Sequence, residues 1–260
     1  MSGHWGEVTS TMDWCELNYT VTPFVAEWWN TTSSLVILFL GLYGFLAHRE
    51  SSVGMRIAFL SMGVVGLGSV LFHGTLRFEM QLMDELPMLW CALCMFYNLA
   101  QALVPKDKHR VFAAGLVVWG LAVTFGMIAT RHSFEFELFV SNFLLAEALG
   151  FAAAVPLYRR YLNSNARTWF WRGVGLHALG GTVWLVDLFF CETLLSLPFY
   201  PPLHGVWHVL TGSGLYILFV CTAVFQELAK DQEVSVVIGP HWIPICAKRP
   251  LDSEGSPQRP

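Results

Sequence analysis

Residues 57–76 read IAFLSMGVVGLGSVLFHGTL, an apolar run that contains no Lys, Arg, Asp or Glu. About 20 residues of this kind suffice for one helical crossing of a bilayer. Gly66 and Gly68 are small residues of the type that lets two membrane helices approach closely. Ser69 and His73 are four residues apart and share one helix face. The stretch therefore predicts a membrane-spanning helix with a hydroxyl and an imidazole near one end.

Six further apolar stretches accompany this one. Hydrophobic residues make up 55% of the 260 residues and charged residues only 13%, proportions that indicate a membrane protein rather than a soluble domain. We predict an all-α fold, a bundle of seven transmembrane helices (residues 32–228) between an N-terminal segment (1–31) and a C-terminal tail (229–260). The predicted helices cover Thr32–Ala47, Ile57–Leu76, Leu82–Leu103, Val111–Thr130, Phe136–Tyr158, Gly173–Leu197 and His204–Leu228.

The basic residues are divided unequally between the two sides of this bundle. With the N-terminus outside, the inner loops and the tail hold 13 Lys and Arg residues, among them Arg249 and Arg259. The outer loops hold only Arg77 and Arg131. Because basic residues accumulate on the cytosolic side, we expect a lumenal or extracellular N-terminus and a cytosolic C-terminus. Residues 1–30 lack a basic start followed by an apolar run, so no cleavable signal peptide is expected.

The side chains of chemical interest then fall at the outer end of the bundle. His73 lies at the end of the second predicted helix, Asp84 at the start of the third, and His204 and His208 at the start of the seventh. Three protein ligands and one open water position are typical of catalytic zinc. A nearby carboxylate can take a proton from the water, and a hydroxyl such as that of Ser69 can donate to an oxyanion. This pattern predicts a membrane-embedded zinc hydrolase.

Structural alternatives exist for each of these residues. A single histidine could be an isolated interfacial or packing residue. Ser69 could serve only helix packing, and Asp84, followed by Pro87, could cap the third helix. The occurrence of all these groups at one end favours the metal site. The chain has no HExxH motif, so the soluble zincin arrangement is excluded.

The N-terminal segment contains four oxygen-bearing side chains close to the first helix. Calcium prefers carboxylate, amide and backbone oxygens, but the spacing is not that of an EF-hand, and a solvated acidic loop is the alternative. Cys15 and Cys191 both fall on the outer side, where an oxidising compartment would permit a disulfide. The four oxygen-bearing residues are Asp13, Glu16, Asn18 and Glu27.

Five short motifs follow one another along nearly the whole chain. They are Asp13-Trp14-Cys15-Glu16-x-Asn18-Tyr19, Ala26-Glu27-x-x-Asn30-Thr31, Gly68-Ser69-x-x-Phe72-His73-x-Thr75-Leu76, Gln81-Leu82-x-Asp84-Glu85 and His204-x-x-Trp207-His208. In this combination and order they resemble the alkaline ceramidase family. Residues 9–15 and 79–88 resemble its phytoceramidase-type third branch most closely.

The resemblance implies a seven-helix intramembrane amidase. It would hydrolyse ceramide, including phytoceramide and dihydroceramide, to a sphingoid base and a fatty acid. By resemblance, His73, His204 and His208 bind Zn²⁺, Asp84 is the base and Ser69 stabilises the oxyanion.

The resemblance also gives the N-terminal segment a role. It implies a Ca²⁺ site and pairs Cys15 with Cys191 in a disulfide. We expect ceramide lipids and the membrane as partners, no nucleic acid, and a location in the endoplasmic reticulum or Golgi membrane with the active site towards the lumen. The implied calcium ligands are the side chains of Asp13, Glu16, Asn18 and Glu27 and the carbonyl of Trp14.

Two rival functions come from other classes. A seven-helix receptor of the progestin and adiponectin receptor type would have a mainly structural zinc site, but its expected orientation is opposite. A transporter or proton channel could use Asp84, Glu147 and Asp187 as a relay, yet its acids should be spread across the membrane. Asp187 could also orient a zinc histidine, whereas Glu147 receives no role.

Overall fold

The structure, a computed structural model, describes residues 3–131 and 133–248. The predicted tail residues Arg249 and Arg259 lie outside the described residues. Within the described residues, seven long helices follow one another in the predicted order, with some ends shifted. They are α1 (Trp28–Ala47), α2 (Val53–Thr75), α3 (Phe78–Ala100), α4 (His109–Ala129), α5 (Glu135–Tyr161), α6 (Ser164–Leu195) and α7 (Leu203–Leu228).

Six of these helices are long and apolar enough to cross a membrane. The remaining one, α3, carries the polar residues Gln81, Asp84 and Glu85 in its first half. All three side chains are buried. The polar face of α3 therefore points into the bundle, and its exposed surface is more apolar than its composition indicates.

Helix α2 packs tightly between α1 and α3 because two of its residues lack a side chain. A Cβ atom at Gly66 would overlap the backbone of Leu38 in α1. A Cβ atom at Gly68 would overlap the carbonyl oxygen of Met83 in α3. The small-residue run thus permits close helix approach, and it places the neighbouring Ser69 where both helices bury it.

The sixth helix begins at Ser164, well before the predicted start at Gly173. Asn163 caps it, since its side-chain oxygen accepts a hydrogen bond of 2.9 Å from the backbone N–H of Ala166. Arg167 and Arg172 lie within the first turns without interrupting the helix. Arginine is a good helix former, and its long side chain can keep the charge at a polar boundary. The predicted start was wrong because it followed apolar residues alone.

Part of the C-terminal tail forms a β-hairpin, which the sequence analysis did not predict. Strand β1 (Val234–Ile238) pairs antiparallel with β2 (Pro244–Lys248). Val234 and Val236 face the bundle and are buried. The hydroxyl of Tyr216 in α7 donates to the carbonyl of Pro244 at 2.9 Å. The hairpin therefore covers one end of the bundle, called here the hairpin end.

The N-terminal segment covers the opposite end, which we call the histidine end. The backbone N–H groups of Thr9 and Ser10 both donate to the carbonyl of Leu76, at 3.1 Å each. Ala26 N–H donates to the carbonyl of Gly74 at 3.0 Å. These bonds lay the segment across the turn between α2 and α3 and bring its acidic residues over the helix ends.

Candidate active site

Three buried histidines converge at the histidine end. His73 comes from the last turn of α2, and His204 and His208 come from the first two turns of α7. The ring centroids of His204 and His208 are 4.7 Å apart, and each lies 5.0 Å from that of His73. One ring nitrogen from each residue lies within 4.8 Å of the others. The structure therefore brings together the three histidines that the sequence singled out.

A carboxylate from the N-terminal segment fixes the ring of His73. Glu27 Oε2 lies 2.5 Å from His73 Nδ1 and also accepts a hydrogen bond of 3.0 Å from the Asn30 side chain. Glu27 Oε1 accepts from the backbone N–H of Trp14 at 3.1 Å. Burial raises the pKa of the Glu27 carboxyl to about 8. With Nδ1 engaged by this carboxylate, His73 Nε2 is buried without a protein partner among the described residues.

Hydroxyl groups of α1 fix the ring of His208. Ser33 Oγ lies 2.8 Å from His208 Nδ1 and donates its own proton to the carbonyl of Asn30 at 3.0 Å. Ser33 Oγ therefore accepts the proton of His208 Nδ1, which leaves the lone pair on Nε2. That Nε2 lies 3.5 Å from the hydroxyl oxygen of Ser69. Ser69 also lies 2.9 Å from the hydroxyl oxygen of Ser34.

Stacking against tryptophan positions the third imidazole. The ring centroid of His204 lies 4.0 Å from that of Trp14 and 4.8 Å from that of Trp207. His204 Nδ1 is buried and has no hydrogen-bond partner in residues 3–131 and 133–248.

These unpaired nitrogens suit a metal ion. A buried polar atom without a partner is costly, and His73 and His204 each contribute one. His208 offers a third lone pair on Nε2. Three neutral imidazoles are a common protein ligand set for zinc when the fourth position stays open. The donor set therefore fits zinc.

Asp84 lies in the second turn of α3, because Arg77 is the N-cap residue of that helix. The interpretation of Asp84 and Pro87 as the cap of this helix is therefore wrong. The Asp84 side chain is buried, and its Oδ1 has no hydrogen bond to the residues described. Asp84 instead lines a cavity together with Ser69 and His208.

The cavity is large and mostly apolar. Its volume is about 480 Å³, and it extends between α2, α3, α5, α6 and α7. A second cavity of about 270 Å³ lies towards Trp14 and His204 and shares Asp84 with the first. An apolar space that reaches a cluster of polar groups is the usual form of a lipid or drug-sized ligand site. Asp84, Ser69, His204 and His208 border these two cavities, and His73 lies beside them in the histidine cluster.

The predicted calcium ligands differ from one another in their burial and in their hydrogen-bond partners. Asn18 Nδ2 donates to both carboxylate oxygens of Asp13, at 3.0 and 3.2 Å, and Asn18 Oδ1 is buried without a partner in the part of the chain described. Glu16 accepts from the backbone N–H groups of Trp29 and Asn30, at 2.8 and 2.9 Å, at the start of α1. Burial raises the pKa of the Glu16 carboxyl.

The acidic segment is therefore not a solvated loop, although Asp13 is exposed. Glu16 and Glu27 are both buried, and Glu27 contacts the backbone of Trp14. Carboxylate, amide and backbone oxygens are the donors that calcium prefers, and the unpaired oxygen of Asn18 beside Asp13 suits a cation.

Cys15 and Cys191 form a disulfide, which ties the N-terminal segment to the last turns of α6. Asp187, one turn earlier, is buried, but neither of its oxygens has a hydrogen bond within the residues described. No hydrogen bond joins Asp187 to a histidine ring among these residues, and the role suggested for it stays a prediction. The Nδ1 atoms of His73 and His208 are contacted instead by Glu27 and Ser33.

Several contributors to this end of the molecule were missed in the sequence. Gln81 Nε2 lies 2.7, 3.0 and 3.2 Å from side-chain oxygens of Thr11, Glu85 and Glu135, and Gln81 Oε1 accepts from the Thr11 backbone N–H at 2.7 Å. This network joins α3, α5 and the N-terminal segment. A signal was present at the start of α1, where the polar residues Asn30 and Ser34 are four residues apart and share one helix face.

The fold and the site define a helical membrane protein with a buried histidine cluster beside an apolar cavity. A family model described as Ceramidase matches residues 6–246. Alkaline ceramidase 3 of Mus musculus is 34% identical over 228 residues, which cover 83% of each chain. Alkaline ceramidase YPC1 of Saccharomyces cerevisiae is 33% identical, covering 84% of this chain and 77% of its own.

A more distant relative gives the same result. The alkaline ceramidase of Arabidopsis thaliana is 28% identical and covers 90% of this chain and 89% of its own. The chain belongs to the ceramidase family. The resemblance inferred from the five motifs is thereby confirmed.

Proposed function

We propose that this protein is an intramembrane, zinc-dependent amidase that hydrolyses ceramide to a sphingoid base and a fatty acid. One observation carries the proposal. His204, His208, Ser69 and Asp84 border apolar cavities large enough to hold alkyl chains, and His73 completes the buried histidine cluster beside them. Family membership supplies the substrate class, because the matched relatives are named alkaline ceramidases.

His73, His204 and His208 would hold the zinc ion. Zinc, when bound, supplies a Lewis acid and lowers the pKa of a coordinated water to about 7. A cation bound nearby would lower the raised pKa of Glu27 and keep its carboxyl ionised. Glu27 and Ser33 would then accept the Nδ1 protons of His73 and His208 and so keep the Nε2 lone pairs free. Supporting groups of this kind orient metal-binding imidazoles and raise their basicity.

Asp84 would move the proton. Its carboxylate borders both cavities, and its Oδ1 has no hydrogen bond to the described residues. It would take a proton from the attacking water and return it to the nitrogen of the departing amine. Ser69 would donate a hydrogen bond to the oxyanion that forms at the carbonyl. Its hydroxyl can rotate from Ser34, to which it is bonded at 2.9 Å.

All seven helices would cross the membrane, including α3, because its polar face is buried. The 13 basic residues of the inner segments support a lumenal N-terminus and a cytosolic tail. The histidine end would then face the lumen of the endoplasmic reticulum or Golgi. A two-tailed lipid amide would enter laterally from the outer leaflet.

Calcium would bind the N-terminal segment through Asp13, Glu16, Asn18, Glu27 and the Trp14 carbonyl. Positive charge there would compensate three carboxylates, two of which are buried. The unpaired Asn18 oxygen and the oxygen-rich donor set support this role.

The direct test uses purified protein and ceramide in detergent. We expect release of equal amounts of fatty acid and sphingoid base, loss of this release after chelation, and recovery with zinc but not with calcium. Absence of any release would contradict ceramide hydrolysis. Undiminished release from protein shown to be metal-free would contradict the role of zinc.

A further inference from the structure

The C-terminal hairpin carries its charged residues only at its open end, where the chain enters from α7. Asp231 and Glu233 precede β1, and Lys248 is the last residue of β2, opposite Val234. Residues 234–247 contain no Lys, Arg, Asp or Glu. The turn between the strands (residues 239–243) is called here the hairpin tip. It contains Trp242, which at 89% is the most exposed large hydrophobic side chain of the described residues.

The hairpin runs back along the bundle, so that its tip lies beside an apolar helix. The hydroxyl of Tyr43 in α1 donates to the carbonyl of Pro240 at 3.1 Å, and the ring centroids of Tyr43 and His241 are 6.4 Å apart. Helix α1 ends at Ala47 and has 20 residues, a length of about 30 Å that matches the hydrocarbon core of a bilayer. Tyr43 lies about 6 Å inside this end. The hairpin tip therefore reaches the boundary between headgroups and hydrocarbon.

The bundle supplies hydrogen bonds to the edge of β2 that does not pair with β1. The backbone N–H of Cys246 donates to His48 Nε2 at 3.1 Å. The carbonyl of Pro244 accepts from the hydroxyl of Tyr216 at 2.9 Å. Pro240 and Pro244 have no backbone N–H group that needs a partner. Unpaired strand edges are excluded from lipid, and on this side of the hairpin the protein satisfies them.

The surface next to the hairpin tip is apolar as well. On α1, Phe39, Leu42 and Leu46 are exposed, and Phe39 stacks on Tyr43 with ring centroids 6.0 Å apart. Ile238, at the end of β1, is also exposed. Because α1 is one of the helices apolar enough to cross a membrane, its exposed side faces lipid. The hairpin tip continues this lipid-facing surface and does not form a separate patch.

The backbone of the hairpin tip also indicates that a contact is missing around Trp242. His241 and Trp242 have φ angles of 60° and 63°, a left-handed conformation that is uncommon for bulky residues. Such residues persist where other interactions compensate the strain. Contacts within the chain compensate little for Trp242, because its side chain is almost fully exposed. Tryptophan is favoured at membrane–water interfaces, where the ring contacts lipid and the indole N–H contacts polar groups.

We infer that the hairpin tip inserts into the lipid leaflet at the hairpin end, with the Trp242 indole at the boundary between headgroups and hydrocarbon. The partner of this surface is membrane lipid, and the inference does not depend on ceramide hydrolysis. Part of the predicted tail thereby returns to the membrane. The charged open end, with Glu233 and Lys248, stays at the water side and marks the level of the membrane surface.

The first test uses the full chain, with a photoreactive benzophenone amino acid at one position, in phosphatidylcholine vesicles. The probe replaces Trp242, Leu46 on the lipid-facing side of α1, or Gln232 at the charged open end. After irradiation, mass spectrometry should find phosphatidylcholine adducts at position 242 at a level similar to that at position 46. The probe at position 232 should lose most of these adducts.

Two results would overturn the inference. One is a level of lipid adducts at position 242 no higher than at position 232. The other is cross-linking of position 242 chiefly to a second copy of the chain, which would make the hairpin tip a contact between copies. The same probe at Ile238 repeats the comparison at a second exposed position, in case the variant at position 242 does not fold.

An independent measurement uses the native tryptophan. The difference in fluorescence emission between the wild type and Trp242→Phe isolates one of the 11 tryptophans. In vesicles of phosphatidylcholine brominated on the acyl chains close to the headgroup, this difference should lose most of its intensity. Iodide in the aqueous phase should leave it largely intact. Quenching by iodide and not by the brominated lipid would place Trp242 in water and contradict insertion.

Discussion

His73 and His48 are both buried histidines, and they lie at opposite ends of the bundle. His48, at the hairpin end, contacts the carbonyl of Gly44 through Nδ1 at 2.9 Å and accepts from the backbone N–H of Cys246 through Nε2 at 3.1 Å. Burial lowers the pKa of His48, and both ring nitrogens are satisfied in the neutral form. His73 has only one satisfied nitrogen, the one beside Glu27.

The difference teaches that burial alone does not make a histidine a candidate metal ligand, whereas a buried ring nitrogen without a hydrogen-bond partner does. His48 joins α1 to the hairpin and has no lone pair left for a metal. His73 has a lone pair directed to the same place as those of His204 and His208. The two ends of the bundle therefore use the same residue type for structure at one end and, in the proposed function, for metal binding at the other.

The largest expected effect is a difference in activity between variants of these two histidines. His73→Ala is expected to abolish ceramide hydrolysis, because the cluster loses a ligand. His48→Ala should retain most activity per folded molecule and lower stability by about 1–3 kcal/mol through the lost bonds to Gly44 and Cys246. Activity assays and thermal melts on both variants measure the contrast. Equal loss of activity in the two folded variants would break it.

At the histidine end, the roles proposed for Asp84 as the base and for Ser69 as the hydroxyl donor should be separable from metal binding. Asp84→Asn and Ser69→Ala are each expected to keep the metal and lose on the order of a hundredfold in kcat. Ser61→Ala is a matched control, since Ser61 lies on the same helix and its hydroxyl donates to the carbonyl of Ala58. Near-normal kcat in Asp84→Asn or Ser69→Ala would remove that residue from the mechanism.

A smaller effect on activity is expected for Glu27, which contacts the ring of His73 and not the proposed metal ion. Glu27→Gly should lower thermal stability and reduce activity by roughly 10–100-fold, because it frees the His73 ring and loosens Trp14. In metal-stripped wild type, calcium should raise the melting temperature, since it binds the folded segment preferentially. Glu27→Gly should show a reduced rise. A wild-type melting temperature that stays unchanged on addition of calcium would contradict calcium binding by the N-terminal segment.

Much of the fold could be predicted because membrane helices can be recognised from their length and hydropathy. Asp84, His204 and His208 could be placed together because helix ends fix their depth, and motif resemblance added the disulfide partner of Cys15. The hairpin was missed because its five-residue strands give only a weak alternating pattern within a polar tail.

The contact between Glu27 and His73 could not be predicted for a different reason. It depends on how a segment without regular structure folds back over α2. The sequence of such a segment has no helical or strand periodicity from which its path could be predicted. The pairing of Glu147 with His177 likewise depends on the rotation of α5 and α6 about their axes. Their hydropathy shows only that both helices are apolar, not which faces meet.

The most direct test of the zinc centre is the metal content of three purified proteins, the wild type, His73→Ala and His48→Ala, by elemental analysis. The account predicts about one zinc per chain in the wild type and in His48→Ala, and a large loss of zinc in His73→Ala. Full zinc occupancy in folded His73→Ala, or no zinc in active wild type, would contradict it.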